Sequence, residues 1–184
     1  DLPKDELLRR SQQRQARNLG TNQTWSAKEQ YKRFYFVDWP ALNRHKAQLV
    51  ESLDFIIDGQ NAEQPTYMVG DRFRGALDSA SRSAFRPRPW FAPGPWGGQW
   101  LKRHVQEVPQ DEPNYAWSFE LIAPENGVAF SDGTATLEFT FDWLLYHRRR
   151  EILGECADRF GDEFPIRFDF LDTVEGGNLS LQCH

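Results

Sequence analysis

Three polar side chains near the end of the chain, Ser180, Gln182 and His184, alternate with Leu179, Leu181 and Cys183. Residues two apart on a strand point to the same side. A short strand from Leu179 to His184 therefore has an apolar back and a front that carries a hydroxyl, an amide oxygen and an imidazole. A neutral imidazole is the commonest metal ligand, and an amide adds an oxygen donor. Gln182 and His184 are the candidate metal ligands on that front, with Ser180 beside them.

The elements that must hold this pattern lie just upstream. Phe164-Pro165-Ile166-Arg167-Phe168-Asp169-Phe170-Leu171-Asp172 alternates apolar with charged residues, the period of a half-buried strand. Gly176-Gly177-Asn178 then reverses the chain. Further back, residues 86–101 are dense in Pro, Gly and Trp and exclude a regular helix. Within them Gly97-Gly98 allows the backbone to turn or to approach another group closely. Trp117, Phe119 and Leu121 fall on one side of a strand and Ser118 and Glu120 on the other. Leu137, Phe141, Leu144 and Leu145 recur at helical spacing, which predicts a helix of about ten residues from Phe139 to Arg149, its Arg148-Arg149-Arg150 end suiting the negative helix C-terminus.

The first half of the chain carries less chemistry. Residues 1–30 are polar and rich in Arg and Gln, and read as a frayed helix or a linker. Tyr31 to Pro40 reads as a short strand that Pro40 ends. An amphipathic helix follows from Pro40 to Leu53. Asp54–Asp58 fits either a strand or more helix, and residues 59–66 form a loop. A second helix runs from Val69 or Gly70 to Ser83, with Phe73, Ala76, Leu77 and Ala80 on one face. Arg72, Arg74, Arg82, Arg86 and Arg88 make this the basic stretch, a solvated face that pairs with Asp71 and Asp78.

Composition bounds the function class. The chain has 184 residues, 39% hydrophobic and 14% aromatic, enough to build a core. Its net charge of −5 argues against nucleic acid as a partner. No apolar run approaches the ~20 residues of a membrane span, so no membrane partner is expected. Two cysteines, Cys156 and Cys183, make no disulfide framework, and a cytoplasmic location is expected. The chain starts at Asp1 rather than Met and stops inside its own motif, so it reads as a piece of a longer protein.

Phe-Pro-Ile-x-Phe-x-Phe-Leu-Asp followed by Leu-Ser-x-Gln-x-His resembles the signature strand pair of type I mannose-6-phosphate isomerases, where the second strand reads Leu-Ser-x-Gln-Val-His-Pro. Cys183 stands in place of the Val. Trp96-Gly97-Gly98 with the following Leu101 resembles the opening element of that family. Residues 116–127 resemble its Gly-Glu-Ser-Trp-Glu-Ile-Ser segment and the turn after it, with Trp117 in place of an acid and Phe119 in place of the Trp. Glu151 to Asp162 is similar to the helix that feeds the Phe-Pro strand.

The resemblance covers residues 86–184 and implies the start of a cupin-type domain, an α+β chain holding the first strands of a jelly-roll or β-barrel. Residues 1–85 would be a helical extension or the tail of an upstream domain. What the resemblance implies is a zinc-dependent aldose–ketose isomerase of a phosphorylated sugar, in which zinc stabilises an enediolate. It implies Gln182 and His184 as zinc ligands and Ser180 and Trp96 as substrate-binding residues. The partners implied are a small-molecule sugar phosphate and the rest of the same polypeptide. A second reading is a non-catalytic cupin that binds metal and sugar. One departure bears on substrate: the family's Phe-Pro strand carries a Lys at the sugar phosphate, and Asp169 takes that position here. His45, His104 and His147 match no family position and read as surface or capping histidines.

Overall fold

Tyr31, Tyr35 and Trp39 lie four residues apart, and in the computed structural model, which describes residues 1–13, 15–23 and 25–181, their rings pack along one side of a helix. The ring centres of Tyr31 and Tyr35 are 6.2 Å apart and those of Tyr35 and Trp39 are 5.4 Å apart. The strand expected over residues 31–40 is therefore helix. Helix α1 spans Lys4–Gln12. Helix α2 spans Ala27–Arg33, and it starts at a capping box in which Ser26 and Glu29 exchange hydrogen bonds. A π-helical turn, Phe34–Asp38, joins it without a break to α3, Trp39–Leu49, and Pro40, which has no N–H to give to the preceding turn, follows directly on that π-helical stretch.

Strand β1, Phe55–Asp58, settles the Asp54–Asp58 alternatives in favour of strand, and it pairs antiparallel with β2, Thr66–Val69. Helix α4 spans Gly70–Ser81 and buries Phe73, Ala76 and Leu77 as its spacing predicts. Next come β3, Trp90–Ala92, the short helix α5, Trp100–His104, and β4, Trp117–Leu121. Strands β5, Gly127–Ser131, and β6, Thr136–Thr140, form a hairpin. Helix α6 spans Asp142–Leu153, and the single-turn helix α7 spans Ala157–Phe160. Strand β7 is Phe168–Leu171.

Two of these elements correct the sequence reading. The helix expected from Phe139 starts at Asp142. Thr136-Leu137-Glu138-Phe139-Thr140 alternates, and strand pairing buries Leu137 and Phe139 on one side. The strand expected over residues 164–172 is limited to 168–171, because only these residues pair with β4. Residues 179–181 belong to no strand, and the rest of the expected Leu179–His184 strand lies outside the described residues.

The chain divides into two compact units. Unit 1 comprises residues 1–87 and 123–165. Its centre is Phe73, fully buried, with its ring edge-on to Phe130 at 6.0 Å, Phe139 at 5.3 Å and Trp143 at 5.5 Å. Leu77, Val128, Leu137, Leu144 and Leu145 complete this core. Two ion pairs bound it, the first buried and the second part-buried. Lys4 reaches Glu125 at 3.1 Å, and Lys46 reaches Asp142 at 2.9 Å. Each carboxylate also accepts a tyrosine hydroxyl, Tyr31 on Glu125 and Tyr146 on Asp142. Burial, with Asp142 alongside, holds the Tyr146 hydroxyl far above the ordinary tyrosine range.

Unit 2 comprises residues 88–122 and 166–184. Its sheet has the order β3-β4-β7, all antiparallel, with a register shift between Phe119 and Leu121. The architecture is thus α+β with small antiparallel sheets, and no closed barrel forms among the described residues.

Candidate functional site

The residues singled out by the sequence converge in unit 2, where Trp96-Gly97-Gly98 meets the segment leaving β7. Gly94 and Gly97 close a turn, with the Gly97 N–H donating to the Gly94 carbonyl at 2.9 Å. The arch so formed is pinned at three points. Gly98 N–H donates to the Asp172 carbonyl at 2.8 Å, Gln99 N–H to the Val174 carbonyl at 2.9 Å, and Gly177 N–H to the Trp96 carbonyl at 3.0 Å. Two stretches more than seventy residues apart in sequence are joined main chain to main chain.

The glycines make that approach possible. A Cβ on Gly98 would overlap Asp172 Oδ1 and sit 2.5 Å from Val174 N and 2.6 Å from Val174 O. One on Gly176 would overlap the Trp96 carbonyl oxygen and sit 2.7 Å from that of Gly97. Real Cβ atoms do not come so near main-chain atoms, so each position needs a residue without one. The turn itself lies at Thr173–Gly176, where the Gly176 N–H donates to the Thr173 carbonyl at 3.0 Å, rather than at the expected Gly176-Gly177-Asn178, and Gly176 and Gly177 dock the arch as the chain leaves it.

Above the arch the aromatic rings form a row. The Trp96 indole meets Trp117 edge-on at 4.7 Å. Trp117 and Phe119 lie parallel at 6.2 Å, and Phe119 stacks on Trp90 at 4.0 Å. The cross-strand pairs Trp90↔Phe119 and Ala92↔Trp117 set this row, as the alternation in β4 predicts. On the opposite side of β4, the Ser118 hydroxyl donates to Glu120 Oε1 at 2.5 Å. Asp169 lies across from Phe119 at the far edge of the row and is half-buried. Beneath, Leu101, Val108 and Tyr115 form a small core against Phe91 and Val105. The Tyr115 hydroxyl donates to Asp111 at 2.5 Å. Burial and that carboxylate hold its titration far above the ordinary tyrosine range, while the same bond holds the Asp111 carboxyl below its usual value.

Of the expected site residues, Trp96 is half-buried in the arch, and Ser180 is exposed three residues beyond the Gly177 contact. Gln182 and His184 lie outside the described residues. Among the described residues no three His, Cys, Asp or Glu side chains gather where they could hold a metal ion. The zinc expectation thus rests on two residues whose geometry is not part of the site described above. No helix among the described residues is long and apolar enough to cross a membrane.

One constellation escaped the sequence reading. His147 in α6 is not a surface histidine. Its side chain is 5% exposed, with Nδ1 2.7 Å from Glu51 Oε1 and Nε2 3.0 Å from Asp78 Oδ1. Arg148, which leaves helical geometry, also reaches Asp78 at 2.5 Å. The Arg148 guanidinium, with His147 behind it, holds the Asp78 carboxyl below its ordinary range. The only sequence signal is the short spacing of His147 from the buried pair Leu144 and Leu145, which turns it inward.

The fold and site define an α+β protein of small antiparallel sheets. The model of a family described as a domain of unknown function (DUF8485) matches residues 1–82, the stretch that ends just after the last turn of α4. No curated protein and no solved structure is similar to the chain.

Proposed function

We propose that residues 86–184 begin a cupin-type domain of a mannose-6-phosphate isomerase-like enzyme, with zinc as its metal and a phosphorylated sugar as its substrate. The supporting observation is the main-chain junction between Trp96-Gly97-Gly98 and Asp172–Gly177, since two motifs chosen for their resemblance to one family are neighbours in space. In this reading Gln182 and His184 hold the zinc, Ser180 and Trp96 contact the sugar, and the remaining ligands come from the rest of the same polypeptide. The proposed setting is the cytoplasm. The protein's residues would bind and orient the sugar: an indole offers an apolar face to the C–H side of a sugar ring, and the Ser180 hydroxyl offers one donor and two acceptor sites.

Asp169 favours a second reading, a cupin that binds metal and sugar without isomerising it. A carboxylate where the family has a Lys repels a phosphate dianion. Assay of mannose 6-phosphate turnover, with metal content measured on the same sample, separates the two. Zinc with turnover supports the enzyme, zinc without turnover supports the binding module, and absence of both refutes the cupin reading.

A further inference from the structure

Asp172 closes the junction, and its chemistry exceeds what a plain turn needs. The residue is 5% exposed, and both carboxylate oxygens are used inside unit 2. Oδ2 accepts the Leu101 N–H at 2.8 Å, and Oδ1 accepts the Val174 N–H at 3.0 Å. Its main chain adds two bonds: its N–H donates to the Ala116 carbonyl at 2.9 Å, and its carbonyl accepts the Gly98 N–H. One residue thereby fastens the first turn of α5, the turn after β7, the start of β4 and the Trp96 arch. Among the described residues no cation pairs with this carboxylate. Burying an unpaired carboxylate is costly unless hydrogen bonds to it replace the lost water. Two N–H groups converge on it from different segments, and both bonds need two acceptor oxygens on one side chain. An asparagine would keep one acceptor and turn the other into a donor facing an N–H.

Trp96 is the residue that this arrangement holds. Its carbonyl is fixed by Gly177, its arch by Gly98 and Gln99, and its ring leans on Trp117. We infer that Asp172 is a positioning residue for Trp96: its buried carboxylate sets where the indole stands relative to the segment carrying Ser180, and so sets the affinity of the site for a sugar ring. This rests on the sugar-binding reading proposed above. Asp172 touches no substrate in this scheme and acts through the arch alone.

Calorimetric titration of the full chain with mannose 6-phosphate tests it in wild type, Asp172→Asn, Trp96→Leu and the double variant. Each single change is expected to weaken binding at least about tenfold, and the double variant is expected to bind within about twofold of Trp96→Leu, because one change acts through the other. A merely structural role for Asp172 would leave the two losses to multiply, and that result overturns the inference. Wild-type affinity in Asp172→Asn also overturns it while leaving the sugar reading intact. Where Asp169 repels the phosphate the same cycle is read with mannose, and a wild type that takes up neither mannose 6-phosphate nor mannose removes the sugar reading, and the inference with it. Should Asp172→Asn fail to fold, Asp172→Glu, which keeps the charge but moves it by one methylene, enters the same cycle.

Discussion

Unit 1 and unit 2 are held together by different means. Unit 1 has a filled aromatic centre, with Phe73, Phe130, Phe139 and Trp143 meeting edge to face and aliphatic residues around them. Unit 2 leaves much of its apolar surface outside: Ile166, Phe168, Phe170, Leu171, Val174, Leu179 and Leu181 are all exposed. Its small core of Leu101, Val108 and Tyr115 is supplemented by main-chain hydrogen bonds across the glycine junction. Burying a large aromatic ring contributes several kcal/mol, whereas one hydrogen bond contributes about 0.5–1.5 kcal/mol net. Burial depends on volume and tolerates modest reshaping, but a backbone crossing fails as soon as one atom is added. Unit 1 should therefore be sensitive to lost volume, and unit 2 to added volume.

The largest effect is expected from Phe73→Ala, which empties the centre of unit 1 and should cost about 3–5 kcal/mol in urea unfolding. A loss below about 1 kcal/mol would mean that this centre does not carry unit 1. Gly98→Ala should come next, at about 1–3 kcal/mol, since its new methyl meets main-chain atoms that cannot swing aside. Faster amide exchange at Gly98, Gln99 and Gly177 is the specific signature, and unchanged exchange there would break the comparison. His147→Ala should cost about 0.5–1.5 kcal/mol, because the ring's bonds to Glu51 and Asp78 are lost while both carboxylates keep access to water and Asp78 keeps Arg148.

The smallest effect is the acid response of unit 1. Asp78 is held below the ordinary carboxylate range by Arg148, and Asp132 well below it by the N–H groups of Ala135 and Thr134. In both cases the unfolded chain takes up the proton at a higher pH than the folded one. Their contribution is thus complete above the unfolded carboxylate pKa of about 3.9 and is lost as pH falls through the folded values. Thermal melts between pH 6 and pH 2.5 should show this loss, and Asp78→Asn should flatten it.

Legibility in the sequence followed the same divide. Helix α4 was readable because its apolar face repeats at 3.6 residues without interruption. The row of Trp117 and Phe119 was readable because strand alternation fixes a side for each. The run over residues 31–40 misled because its aromatic residues are strong strand formers, and only a repeat of four, at Tyr31, Tyr35 and Trp39, betrays the helix. Leu137 and Phe141 share a helical spacing by coincidence, and the alternation through Phe139 was the better signal. Trp96, Gly97, Gly98, Gly176 and Gly177 could be picked out by type, but the turn at Thr173–Gly176 and the part Asp172 plays could not. A buried aspartate that serves four segments has no local periodicity, because its partners are set by the tertiary crossing alone.

Unit 1 is discontinuous, and this has a consequence for its biosynthesis. The residues that complete its centre, Phe130, Phe139 and Trp143, are translated some fifty to seventy residues after Phe73, with the first part of unit 2 in between. On the ribosome, α4 must wait for them with only β1 and β2 at hand to cover part of its apolar face. Closing so long a loop is slow, and a chain that waits in that state is a ready substrate for chaperones and for misassembly. The stretch matched as a domain of unknown function ends before any of these residues is made. In this protein that stretch is an early half of a folding unit, and its nascent lifetime is set by the synthesis of the residues that follow.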